Sequence, residues 1–98
     1  MSLTPAQQQA TKDELQHAMD WVGLTPGQVA KALQVSEAQL KDVLALRTNL
    51  HNPWIVKEYL AEVARQQGKQ PITFTALRGD YHDYWFLNPA IIDARKIQ

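Results

Sequence analysis

The sequence predicts a mostly α-helical domain of four to five helices, followed by a short aromatic-rich C-terminal extension. Three observations carry this expectation. Helix-start chemistry recurs along the chain, with a small polar residue followed three positions later by Gln. Apolar residues then recur at helical spacing after each start. Two of the starts, Thr25 and Ser36, lie so close together that their helices must be short and must cross steeply.

Thr4-Pro5-Ala6-Gln7 places a Thr cap before a Pro in the first turn, with Gln7 able to reach back to the cap. The first helix is predicted to run to about Val22, with Leu15, Met19 and Val22 as its apolar stripe and Gly23 as its left-handed stop. Thr25-Pro26-Gly27-Gln28 repeats the device, and Ser36-Glu37-Ala38-Gln39 repeats it without the proline. The helix between them should bury Val29, Ala30 and Leu33, and the next one Leu40, Val43 and Leu44. Two helices joined this tightly cannot lie side by side, so the segment reads as a helix-turn-helix. By the same capping logic Asn52-Pro53-Trp54 starts a fourth helix. Ile55, Val56, Tyr59, Leu60 and Val63 form its apolar face, Glu58 and Glu62 line the other side, and Gly68 ends it. This helix is expected to lie across the first three and close the core.

The texture changes at Lys69. Residues 71–75, rich in β-branched and aromatic types, read as a short strand or extended segment. Arg78-Gly79-Asp80 is a turn signal; the single Arg-Gly-Asp is better explained as that turn than as an adhesion motif. Residues 81–87 read either as a second strand completing a hairpin or as a short helix capped by Asp80. Asn88-Pro89 caps a last short helix from Ala90 to about Lys96. The chain thus divides into a helical part, 1–68, and an extension, 69–98, that packs on it or mediates dimerisation. The rings between Phe74 and Phe86 either pack on helices 1 and 4 or form a dimer seam, or else offer a stacking platform to single-stranded nucleic acid or a ligand. Packing or a seam is the expected role, with self-association the preferred detail. Trp21 and Trp54 are also expected to pack.

Composition narrows the function classes. The chain has 98 residues, 45% of them apolar, enough for one thin core and suited to self-association. No segment is apolar enough to cross a membrane, and no basic start followed by an apolar run suggests secretion. Cysteine is absent, which fits a cytoplasmic location and excludes thiol catalysis and thiolate metal sites. No nucleophile sits in a recognisable strained turn, no Gly-rich phosphate loop is present, and His17, His51 and His82 lack ligand spacing, so neither an enzyme, a cofactor nor a metal is expected. Ten basic and ten acidic side chains cancel, although the formal charges between Arg47 and Lys57 are all positive.

The spacing Ala30-x-x-Leu33-x-Val35-Ser36-x-x-x-Leu40-x-x-Val43 resembles the lambda-repressor (Cro/XRE-type) helix-turn-helix. With the flanking helices the likeness covers about residues 10–66. The whole chain also resembles a small family of uncharacterised bacterial proteins, which implies a fold and no activity. The first resemblance implies that the second helix of the motif enters the major groove, with Ser36, Ala38, Gln39 and Lys41 as candidate base-edge contacts. It further implies a phosphate clamp after the motif, for which Arg47, His51, Asn52 and Lys57 are the candidates, with Thr48 and Asn49 beside them.

Three departures from the family pattern stand out. Gln34 occupies the turn position usually held by Gly, and Pro26 stands where a phosphate-anchoring Gln often stands. Gln28 is read as a capping residue rather than a substitute anchor. The third departure is that Glu37 and Asp42 point outward from the reading helix, where carboxylates repel phosphates. The leading expectation is therefore a homodimeric DNA-binding regulator. The rival is a protein-interaction module on the same scaffold without DNA binding. A continuous positive strip from Lys41 through Arg47 to Lys57 would favour DNA, and a mixed surface would favour a protein partner.

Overall fold

The computed structural model describes residues 3–49, 51–79, 81–84 and 87–97. Among these residues five α-helices follow one another, α1 (Pro5–Val22), α2 (Pro26–Ala32), α3 (Glu37–Leu44), α4 (His51–Gln66) and α5 (Pro89–Asp93), with a 3-10 turn at Tyr81–Asp83. Local chemistry sets most of their ends. Thr4, Thr25 and Ser36 each close a reciprocal capping box with Gln7, Gln28 and Gln39. Gln28 therefore does serve its own helix start. Gly23 and Gly68 are left-handed at φ 75°, a conformation open to glycine because it has no Cβ, and they stop α1 and α4.

Gln34 adopts φ 61° in the connection between α2 and α3. The chain turns left-handed there as a glycine would, at a cost of about 1 kcal/mol for a residue carrying a Cβ. Val35 N–H then bonds back to the Ala30 carbonyl at 3.0 Å, which closes the turn. The interior faces follow the helical period. Val29, Ala30, Leu33, Leu40 and Val43 join Leu15, Ala18, Met19 and Val22 of α1 in one core.

α4 is the common wall. It packs against α1, α3 and α5, and Trp54, Ile55, Val56, Leu60, Ala61 and Ala64 are buried along it. Its last turn is stitched to the end of α1: Gln67 Nε2 donates to the Val22 carbonyl at 3.0 Å and Lys69 Nζ to the Trp21 carbonyl at 2.8 Å. The Trp21 indole in turn donates to the Gln70 carbonyl at 2.9 Å, with the ring itself 41% exposed.

The extension joins the same core rather than standing apart. Phe74, Leu77, Tyr81, Leu87 and Ile92 are all buried in it. Trp54 packs against the rings of Tyr81 and Tyr84, at 6.2 and 5.6 Å between centroids. The rings of Phe74, Tyr81 and Tyr84 therefore pack within the protomer, while Trp85 and Phe86 lie outside the described residues.

Of the alternatives for this region the strands do not form among the described residues, and the last helix is shorter than expected. Among the described residues there is no strand at 71–75 or 81–84: the first stretch is irregular and the second begins as the 3-10 turn. A strand needs a ladder partner. Instead, Thr75 gives its backbone N–H and its hydroxyl to the Glu14 carboxylate on α1, at 3.1 and 2.9 Å. The proposed cap Asp80 lies outside the described residues. The predicted last helix forms with Asn88 as its cap, but ends at Asp93 rather than Lys96 because Arg95 turns left-handed at φ 54°.

Glu58 and Glu62 also depart from expectation. The extension covers their side of α4, so both are half-buried and partnered, Glu58 with Lys57 and Glu62 with Arg95. Near them the Tyr81 hydroxyl donates to the Asp93 carboxylate. That bond holds Asp93 below the usual aspartate range against the opposing effect of burial, with His82 adding to the depression. Burial of the ring, then the same bond, push the Tyr81 phenol above its usual value.

Two outcomes follow from this packing. Gln34→Gly should raise stability in urea denaturation by about 0.5–1 kcal/mol, since the relieved strain exceeds the added unfolded-state entropy. A loss of stability would show that Gln34 is held by side-chain contacts instead. Because Asp93 is depressed, its contribution is present above the usual aspartate range and is lost as pH falls through its lowered pKa. Melting temperature should therefore drop as the pH falls below the usual aspartate range, and Tyr81→Phe should flatten that part of the profile. An identical acid limb in the variant would disprove the coupling.

Candidate nucleic-acid interface

α3 buries one face and exposes the other. Leu40 and Val43 are fully buried, whereas Ser36, Glu37, Ala38, Gln39, Lys41 and Asp42 are all exposed. The period of 3.6 residues therefore places the base-contact candidates Ser36, Ala38, Gln39 and Lys41 on solvent-facing positions. Two of them are already engaged. Ser36 Oγ accepts from Gln39 N–H at 3.1 Å, and Gln39 Oε1 accepts from Ser36 N–H at 2.8 Å. What remains to them is donor capacity, the Ser36 hydroxyl hydrogen and the Gln39 NH2.

The charges on this surface are paired. Lys41 Nζ stands 3.9 Å from Glu37 one turn earlier, with both side chains more than half exposed. Arg47 donates through Nε and Nη2 to the same Asp42 oxygen, at 3.2 and 2.9 Å. Two cations and two carboxylates thus alternate along α3 and its exit, and their formal charges cancel.

The phosphate clamp is not assembled as expected. Asn52 is fully buried and Lys57 Nζ is folded inward. The Lys57 side chain is only 13% exposed, pairs with Glu58 at 3.4 Å, and lies 4.6 Å from the Trp54 ring and 5.8 Å from the Phe74 ring. Neither side chain stands at the exposed surface beside Arg47. The reason is where α4 begins. It starts at His51, with Asn49 rather than Asn52 as the side chain serving its first amides: Asn49 Oδ1 accepts from His51 N–H at 3.0 Å and Asn52 N–H at 3.1 Å. Pro53 sits inside the first turn, where its missing N–H costs nothing because that amide has no acceptor in the helix.

His51 is turned to another task. Its Nε2 accepts from the Asn88 backbone N–H at 2.9 Å, tying the start of α4 to the start of α5. Of the clamp candidates Arg47 alone projects into solvent from the α3–α4 connection as a cation, beside exposed Thr48 and Asn49. Sequence reasoning missed Asn49. Its signal was present, an Asn two residues before the helix start, but Asn52-Pro53 offered an equally good pattern three positions later.

Among the described residues no group of His, Asp or Glu side chains is placed to hold a metal ion, and no helix is long and apolar enough to cross a membrane. The lineage is clearer than the chemistry. A mostly helical protein is the class these features define. The chain belongs to the family described as "uncharacterized protein conserved in bacteria" (DUF2316), whose model matches residues 1–88. No curated protein and no solved structure matches it.

The capping assignment is open to a direct check. Asn49→Ala should destabilise the protein by about 1 kcal/mol in chemical denaturation. A neutral result would mean that the first amides of α4 are satisfied by solvent and remain open to an anion.

Proposed function

We propose that α2 and α3 form a lambda-repressor-like helix-turn-helix and that the protein binds double-stranded DNA through α3. The observation that carries this reading is the α2–α3 unit itself. Two short capped helices are joined through a left-handed residue at Gln34, with one face of α3 locked into the core by Leu40 and Val43 and the other wholly exposed. In this reading α2 lies across the backbone and α3 enters the major groove. Lys41 and Arg47 supply the phosphate contacts, while Ala38, the Ser36 hydroxyl and the Gln39 NH2 meet base edges.

The carboxylates beside them do not forbid this. Exposed ion pairs contribute at most about 1 kcal/mol, so Lys41 and Arg47 can exchange Glu37 and Asp42 for phosphate at little cost. Two phosphate cations per copy make for weak binding, and a homodimer with two half-sites is part of the proposal.

A second reading is favoured by the charge balance on the same face. The surface is mixed rather than a positive strip, because Lys57 is folded inward and Lys41 and Arg47 each stand beside a carboxylate. Such a surface suits a protein partner, and a helix-turn-helix scaffold does not dictate DNA binding.

Retention on random duplex DNA, read at about 50 mM salt and again at physiological salt alongside light scattering, separates the two. The DNA reading expects salt-sensitive retention of a dimer, and Lys41→Ala should reduce the salt slope by about one unit per bound copy. Asp42→Asn should strengthen retention. No retention at low salt would sink the DNA reading and leave α3 as a protein-binding face.

A further inference from the structure

A second feature shares no residue with α2 or α3. Between α1, α4 and the extension lies an open cleft of about 490 Å³, within the range of small-molecule sites. Apolar side chains line part of it, among them Val22, Leu60, Ile72, Phe74 and Leu77. Its charged lining is unbalanced. Lys57, Arg65 and Arg78 face one carboxylate, Glu58, among the described lining residues apart from His82. Arg65 and Arg78 are exposed, so they stand at the rim, and among the described residues no carboxylate pairs with either.

The Lys57–Glu58 pair lies deeper. Its side chains are 13% and 19% exposed, so both charges have given up most of their hydration. Sheltered ion pairs add little net stability, because the lost solvation offsets the attraction. Replacing the pair with apolar residues would suit the packing of α4 equally well. The Lys57 ammonium is also held close to the Phe74 ring, which itself lines the cleft. An apolar wall and, at the rim, two guanidinium groups that pair with no carboxylate among the described residues are the elements that recognise an anion with an apolar body.

We propose that this cleft binds a small organic carboxylate, its apolar body against Trp21 and Ile72, which keep exposed surface in the cleft, and its carboxylate at the rim formed by Arg65 and Arg78. The site stands independently of the DNA reading.

The test is an NMR titration of the full-length protein with three probes: 1-naphthoate, neutral 1-naphthalenemethanol and inorganic phosphate. The Trp21 indole N–H, which lines the cleft and is bonded to Gln70, is a built-in reporter and is assigned through Trp21→Phe. Naphthoate should shift that resonance and the Phe74 and Leu77 amides saturably, leaving α2 and α3 unmoved. The neutral alcohol should bind at least about tenfold more weakly, and phosphate should not saturate. Arg78→Gln and Arg65→Gln, both at exposed positions that leave the core intact, should each weaken naphthoate by about threefold or more. Equal binding of acid and alcohol would overturn the carboxylate assignment and leave a purely apolar cleft. Insensitivity to both arginine substitutions, shifts centred elsewhere, or no saturable binding at millimolar probe would overturn the proposal.

Discussion

The structure depends on α4 being buried on more than one side. A chain of 98 residues has little interior, and its helices are too short to supply separate cores. One helix must therefore serve all the others. Trp54, Ile55, Val56, Leu60, Ala61 and Ala64 meet α1, α3, α5 and the extension, so burying α4 is what joins the elements into one hydrophobic cluster. The stitching of Gln67 and Lys69 to the end of α1 then fixes how α4 ends against its neighbour.

That constraint has an electrostatic consequence. A helix covered by neighbours has few positions at which a charge can remain fully hydrated. Lys57 and Glu58 are sheltered from solvent and pair with one another, while the half-buried Glu62 pairs with Arg95. The exposed face of α3 obeys the opposite rule. There the pairs Glu37–Lys41 and Asp42–Arg47 stand in water, are worth little, and can be traded for another ligand. The two proposed surfaces differ accordingly: one rests on exchangeable ion pairs, the other on guanidinium groups at the rim of a partly apolar cleft.

Much of the fold was legible in the sequence wherever a signal acts within about four residues. The capping boxes at Thr4, Thr25 and Ser36, the glycine stops at Gly23 and Gly68 and the Asn88 cap all fall where the residue types place them. The outward set on α3 was legible too, because the helical period leaves no other place for Glu37, Ala38, Lys41 and Asp42 once Leu40 and Val43 are inside. The start of α4 was not. Asn49 and Asn52 carry the same side chain, and what separates them is that burying Trp54 and Ile55 draws Asn52 into the core. Periodicity leaves a hairpin and a non-strand alternative equally open at 71–87. Among the described residues the hairpin does not form, for a similar reason: β propensity at residues 71–75 records a fit to a half-buried surface, and the buried surface offered to Phe74 belongs to helices.

The sequence by itself determined the helices, most of their ends and the two faces of α3, because hydrogen bonds to near neighbours and the 3.6-residue period are local matters. Only the tertiary structure decided which polar residues remain available for function. Whether Lys57 and Glu58 meet solvent or core depends on the extension, whose residues lie far along the chain and close over one side of α4. Desolvation is a property of what surrounds a group in space, so it cannot be read from the residues beside it in the chain.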